Sequence, residues 1–338
     1  LTQPILTIAI PTFNRARYLE LTIENLHKEL LTIAPGSVEI IVSDNASPDD
    51  TPAILEAAIS RGFPVRSIRN ASNIGSDANI AQVFNMAGAP YVLILGDDDI
   101  LVAGTLRFLV STLTSANYGV VCLRPYGYDS DFLKEHPGGT GKNLVYEKSG
   151  DFLAAIGAYI TLISACVINK GLLDGVDARQ FCGGNLVQVH LVLMAALAAR
   201  QNLYYTGYSV ACKRNNSGGY DFAKVFVEEL GRILDNSDGL PEASIHSFER
   251  KMMLGYYPTY LLRLRKERDP ERLQSSFDRF RSRFGGTVLF WVWLAPIFKL
   301  PRSLSILWGC FAVAAGRALS GDLRRGLRFV RTQRSKGR

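Results

Sequence analysis

Tyr91-Val92-Leu93-Ile94-Leu95-Gly96-Asp97-Asp98-Asp99 joins five apolar residues through a single glycine to three acids. An apolar run without alternation, bounded by turn formers, predicts a short strand buried on both faces. Three adjacent carboxylates at its end repel one another and lose hydration unless something positive meets them. A divalent cation holding a diphosphate answers that need, because hard cations take carboxylate oxygens and commonly share them with substrate phosphates. The simpler reading is a solvated loop whose acids face the dipole of the next helix.

Outward from this run, strands alternate with helices. Leu6 to Ile10, Val38 to Val42, Val65 to Arg69 and Val120 to Leu123 read as further strands. Between them, helices are expected over Tyr18 to Leu30, from Thr51-Pro52, from Asn73-Ile74-Gly75 to Ala87, and over Gly104 to Thr114. Repeated β-α-β units predict an α/β fold with a parallel sheet between helical layers. Ligands in such sheets bind beyond the carboxyl ends of the strands. Three polar clusters sit at such ends: Pro11-Thr12-Phe13-Asn14, Ser43-Asp44-Asn45-Ala46-Ser47-Pro48, and Asp97 to Asp99. Asp44 can accept hydrogen bonds from a base or ribose, or can close an Asx-turn.

The second half is read as largely helical, with an irregular Tyr126 to Gly150. Helices are expected over Asp151 to Ala158, Gly184 to Arg200, Phe222 to Leu234, Pro241 to Lys266 and Pro270 to Arg283. Lys213 to Gly219 reads as a mobile loop whose cations could neutralise a leaving diphosphate, or as an ordinary exposed loop. Thr287 to Phe298 and Ser303 to Gly316 are uncharged, and Lys299-Leu300-Pro301-Arg302 separates them. Each is shorter than the roughly 18–20 residues of a spanning helix. With Trp291, Trp293 and Trp308 they suit a shallow membrane hairpin, or a hairpin packed on the protein.

The net charge is +7, and Arg317 to Arg338 holds seven Arg and one Lys against Asp322 alone. Such a tail suits anionic lipid. Nucleic acid would explain none of the acidic strand ends. Five cysteines at irregular spacing suit free thiols, and four scattered histidines make no metal pattern. The start of the chain reads as a strand rather than a signal peptide, so the expected location is cytoplasmic, peripheral at the inner face of the cell membrane.

Thr7 to Arg15, Val42 to Asp49, Asn73-Ile74-Gly75 and Leu95 to Leu101, in that order, resemble the family 2 glycosyltransferases of the GT-A fold. The Gly-Asp-Asp-Asp form and Ser164-Ala165-Cys166-Val167-Ile168 look like the abequosyltransferase-like enzymes of O-antigen and capsule assembly. The resemblance implies a mostly parallel α/β sheet flanked by helices, here followed by a C-terminal helical, membrane-associated region. It divides the chain into a nucleotide-sugar half (1–125), an acceptor half (126–235) and a helical region with the apolar hairpin and basic tail (236–338).

It also implies a nucleotide-diphosphate sugar donor held by Pro11, Thr12, Asn14, Arg15, Asp44, Asn73, Gly75 and Asp97, to which the loop reading adds Lys213 and Arg214 near the diphosphate. The acceptor would be a glycan or a polyprenyl-diphosphate-linked oligosaccharide, and transfer would invert the anomeric centre. The family's usual Asp-x-Asp-Asp has Gly96 in its first place here, which puts Asp98 on the Mg2+ or Mn2+ position with Asp99 beside it. A shifted reading pairs Asp97 with Asp99. The family's Glu-Asp, source of the general base, has no acid counterpart in Asn185-Leu186-Val187-Gln188-Val189-His190. His190 and Asp221 are the candidate bases, with Asp151 and Asp129 as rivals. Two other readings stay open, a sugar nucleotidyltransferase and a non-catalytic nucleotide-sugar-binding protein. The first would want a Gly-rich basic loop after the first strand.

Overall fold

The computed structural model describes residues 3–214 and 219–319. The sequence element Asn215 to Gly218 of the expected mobile loop, and the basic tail from Ser320 onward, lie outside the described residues. The chain divides into two compact units, one of residues 1–152 and 159–219 and one of 153–158 and 220–338.

The first unit is built on one mixed sheet. Its opening follows the expected alternation: β1 (Leu6–Thr12), α1 (Ala16–Leu30), β2 (Val38–Asp44), α2 (Thr51–Ser60), β3 (Val65–Arg69), α3 (Ser76–Met86) and β4 (Tyr91–Ile94). These four strands run parallel in the order β3-β2-β1-β4. β1 and β4 are central, which is why their apolar residues are buried on both faces. β3 is the edge strand and is mostly exposed, with Arg66 and Arg69 as charges that discourage pairing with another chain. On α1, Leu19, Ile23 and Leu26 form the buried stripe that the helical spacing predicts.

The second half of the sheet departs from the simple alternation. β5 (Asp99–Leu101) follows the acidic turn, then α4 (Thr105–Ser115), β6 (Val120–Tyr128), β7 (Asn143–Tyr146), α5 (Ser149–Ile156), β8 (Cys166–Asn169), α6 (Val187–Ala198) and β9 (Asn202–Lys213). β8 runs antiparallel between β4 and β6, while β9 lies parallel to β6 and antiparallel to β5 and β7. The sequence reading missed β5, β7, β8 and β9: β7 lies in the stretch expected to be irregular, and β8 was noted only within the family-like segment. β5 is too short to show a period, and the residues of β9 alternate only loosely between buried and half-buried.

Glu29, buried at the end of α1, accepts the Gly104 and Leu106 N–H groups at 2.9 and 3.0 Å and so caps α4. Replacing it with Ala leaves two donors unpaired. Urea unfolding is expected to show a loss of about 2 kcal/mol.

The second unit is helical: α7 (Leu230–Asp235), α8 (Glu242–Lys251), α9 (Tyr257–Glu267), α10 (Pro270–Phe284), α11 (Ala295–Lys299) and α12 (Arg302–Leu319). Wider turns over Lys224–Glu229, Met252–Tyr256 and Phe290–Leu294 lead into α7, α9 and α11. Its core packs Tyr257, Phe280, Phe284 and Phe298 edge-on or tilted against one another. Among the described residues no helix is long and apolar enough to cross a membrane.

Candidate active site at the strand ends

Parallel pairing sets the site. The register of β1 on β2 places Thr12 opposite Asp44, and β4 beside β1 ends at the acidic turn. The three polar clusters therefore meet at one end of the sheet. Thr12 Oγ1 donates to Asp97 Oδ2 at 2.7 Å, the Asn45 N–H donates to Thr12 O at 2.9 Å, and the Asn14 N–H donates to Ser47 Oγ at 2.9 Å. Asn45 reaches on to the third segment: its amide donates to Asn73 Oδ1 at 2.8 Å and to Gly75 O at 3.3 Å, and its Oδ1 accepts the Ile74 N–H. Asn14, Asp44, Asn73, Gly75 and Asp97 thus belong to one connected rim.

Two backbone positions on that rim are strained. Asn14 has φ 55° and Ala46 has φ 61°. Ala gains no local side-chain hydrogen bond there, so the left-handed conformation costs on the order of 1 kcal/mol, and the surrounding bonds hold it. The strain turns the chain sharply at the ends of β1 and β2, and it aims both turns along the rim.

Asp44 plays a double part. Its Oδ1 accepts the Ser47 N–H at 2.9 Å, which is the Asx-type turn that its position allows. Its Oδ2 is buried and accepts no hydrogen bond among the described residues, with Arg69 Nη1 3.5 Å away. A buried acceptor left open at a strand end suits a donor group on a ligand. The sequence reading did not single out Arg69, whose guanidinium also donates to Ser47 O.

The acidic turn holds three carboxylates in three environments. Arg15 Nη1 lies 3.2 Å from Asp97 Oδ1 and 3.3 Å from Asp98 Oδ2. Burial pushes Asp97 up to about 6, with Arg15 and Thr12 pulling the other way. Asp98 is the most accessible of the three, its side chain 14% exposed. Asp99 points inward: Ser164 Oγ donates to its Oδ2 at 2.5 Å, and Cys212, opposite it on β9, is a second donor. Burial and the neighbouring Asp98 charge push Asp99 up. Thr22 on α1 donates to the carbonyls of Asp97 and Asp99 and supports the turn from below.

Ser164 was read only as part of a family-like segment. Its hydroxyl accepts the Gly96 N–H at 2.8 Å while donating to Asp99, so it clamps both ends of the turn that presents Asp97 and Asp98. Ser164→Ala unpairs one buried N–H and one buried carboxylate oxygen. Calorimetry is expected to show donor affinity lowered about tenfold, together with a lower unfolding midpoint.

The other expected residues are placed as follows. Pro11 lies in β1 opposite Ser43. Lys213 Nζ donates to Asp129 O, and Arg214 Nη1 lies 2.8 Å from Asp129 Oδ2 and 3.1 Å from Glu135 Oε2. Both cations therefore hold the 129–135 segment. His190 sits half-buried on α6, its ring stacked on Phe181 at 4.5 Å. The turn before α6 is tied to α3, since Asp77 Oδ2 accepts the Gly183 and Asn185 N–H groups. Asp221 belongs to the helical unit, where it accepts the Lys224 N–H and lies 3.8 Å from Arg279. Among the described residues no three His, Cys, Asp or Glu side chains are disposed as a metal cage.

Known proteins resemble this chain in sequence or in fold. An abequosyltransferase of Salmonella typhimurium, RfbV, is 33% identical over 113 residues, which cover 33% of each chain. A GalNAc(5)-diNAcBac-PP-undecaprenol beta-1,3-glucosyltransferase of Campylobacter jejuni is 31% identical over 109 residues, covering 32% of this chain and 34% of that one. The chain thus aligns with about a third of the length of these curated relatives. Residues 1–349 of TarS from S. aureus, solved in complex with UDP-GlcNAc, share the fold with a TM-score of 0.61. That match is 15% identical and covers 93% of this chain and 91% of TarS 1–349. The description of glycosyl transferase family 2 matches residues 7–176, from β1 past β8. With the GT-A sheet and its acidic strand end in place, the chain belongs to glycosyl transferase family 2.

Proposed function

We propose that this chain transfers a sugar from a nucleotide-diphosphate donor to a hydroxyl of a glycan acceptor in the assembly of a bacterial surface polysaccharide. The observation that carries the reading is the connected rim in which Thr12 joins Asp97 while its strand partner Asp44 keeps a buried carboxylate oxygen without a hydrogen bond, faced by Arg69 at 3.5 Å. Asp44 would accept from the base or ribose, and Asn14, Asn73 and Gly75 would shape the nucleotide pocket. The names of the two relatives, an abequosyltransferase and a glucosyltransferase, support sugar transfer, and the PP-undecaprenol in the name of the second supports a polyprenyl-diphosphate-linked glycan acceptor.

The acidic turn fits a hard divalent cation such as Mg2+ or Mn2+. Its donors are carboxylate oxygens, and the three acids exceed the single positive charge of Arg15. Without a complete protein cage, Asp98 would supply the accessible ligand and the donor's phosphates the others. When bound, the ion would stabilise negative charge on the leaving nucleoside diphosphate. Asp99 was expected as a second ligand, but its bonds to Ser164 and Cys212 favour a positioning role. A donor diphosphate would compete with Asp129 and Glu135 for Arg214.

Inverting transfer needs a base to take the acceptor's proton as its oxygen attacks the anomeric carbon and the bond to the diphosphate oxygen breaks. His190 is our first assignment. An imidazole titrates near working pH, and the turn leading to α6 is anchored beside the Asn73–Gly75 turn through Asp77. Asp221 is the alternative. A lipid-linked acceptor would put the protein at the inner face of the cell membrane, against an anionic surface.

Calorimetry with UDP-, GDP-, CDP- and dTDP-sugars, with and without Mn2+, followed by transfer to lipid-linked acceptors, tests the reading. One donor should bind in a metal-dependent way and be consumed. Binding without transfer across a broad acceptor panel would instead support a donor-binding protein. Within an active enzyme, His190→Gln is expected to lower kcat about 10²–10⁴-fold at unchanged donor affinity. An unchanged kcat moves the base to Asp221.

A further inference from the structure

α12 is built inside out. Its packed face carries Ser305, Gly309, Ala312, Val313 and Gly316, while Leu304, Leu307 and Phe311 point outward and are 51%, 69% and 53% exposed. The small inner residues are required by close packing. A Cβ on Gly316 would lie 2.2 Å from Leu254 O, and one on Gly309 3.0 Å from Leu262 Cδ1. A helix facing water carries its charges on the outer face, yet no charged residue occurs between Arg302 and Arg317. Small residues against protein and large apolar ones outside is the pattern of a helix solvated by lipid.

The preceding segment extends the same surface. Val288, Trp291 and Val292 are 78%, 46% and 58% exposed. Trp293 meets Trp308 and Phe311 edge-on, with ring centroids at 6.2 and 5.9 Å, which ties the two segments together. The Trp291 indole N–H donates to Gly285 O and that of Trp308 to Trp293 O. With those N–H groups already bonded, the exposed part of Trp291 is apolar.

We propose that Val288, Trp291, Val292, Leu304, Leu307 and Phe311 form a face that inserts shallowly into an anionic bilayer, with α12 in the plane of the interface. At about 27 Å, α12 is long enough to lie along the surface, and no described helix is long and apolar enough to cross. Charge decides the occupant. Lys299 and Arg302 flank the start of α12, and the sequence from Arg317 holds seven Arg and one Lys against one acid. Anionic headgroups meet both ends favourably, whereas a second copy would bring like charges together. This sharpens the membrane-surface part of the function proposed above. It does not rest on sugar chemistry, since vesicle binding is read without donor or acceptor.

The test is flotation of the full chain with phosphatidylcholine vesicles, plain or mixed with phosphatidylglycerol, together with Trp quenching by brominated lipid. The wild type is expected to float with the anionic vesicles and to be quenched by bromine near the headgroups. Leu304→Asp/Leu307→Asp should lower the partition coefficient about hundredfold at an unchanged unfolding midpoint. Leu304→Ala/Leu307→Ala, which keeps helix propensity, should lower it in the same direction. The proposal is overturned if the wild type stays unbound, if both double variants float like the wild type, or if sedimentation shows a dimer that the double variants abolish.

Discussion

Asp98→Asn should lower kcat/KM for sugar transfer about 10³-fold and remove the Mn2+ dependence of donor binding, while the unfolding midpoint stays within a degree or two. The size follows from what one preorganised charge contact to a leaving group contributes in a water-poor site. The isosteric amide keeps the shape of the turn, and the buried bonds of that turn are made by Asp97 and Asp99. Steady-state kinetics, calorimetry with and without Mn2+, and a thermal scan of the same variant check the result. A folded variant with unchanged metal-dependent affinity would remove Asp98 from the site.

Arg15→Leu has the largest expected effect on stability. The Arg15 guanidinium faces Asp97 and Asp98 together, and the Asp97 side chain is 6% exposed. Removing the cation leaves a buried carboxylate facing its acidic neighbours, which costs about 3 kcal/mol in urea unfolding. The partner variant separates charge from packing. Asp97→Asn keeps an oxygen for Thr12 Oγ1 and removes the charge, so Arg15→Leu/Asp97→Asn should cost clearly less than the sum of the two single changes. Additive losses would mean that Arg15 acts through its aliphatic stem alone.

Much of the first unit was legible because its signals are local. The unbroken apolar run of β4, the stripe on α1 and the turn formers after β1 and β2 each announce an element within a dozen residues. Parallel pairing then forces strand ends together, so the convergence of the Asn14, Asp44 and Asp97 clusters followed from topology alone. What escaped were residues whose role is a partner far along the chain. Ser164 is an ordinary serine until β8 brings it under Gly96, 68 positions away. Arg69 reads as an edge-strand charge until the β2–β3 pairing sets it against Asp44.

The strands β1, β2, β3, β4 and β6, the family and the acidic turn were written in the sequence, since each rests on contiguous residues obeying one period or one motif. The division of labour among Asp97, Asp98 and Asp99 was not. Three identical side chains in a row differ only in what folding places around them: Arg15 and Thr12 for the first, accessibility for the second, Ser164 and Cys212 for the third. The same holds for α12, whose composition is simply apolar. Only its packing shows that the small residues face inward and the large ones outward. Solvation and charge are fixed by neighbours in space, and those neighbours come from distant parts of the chain.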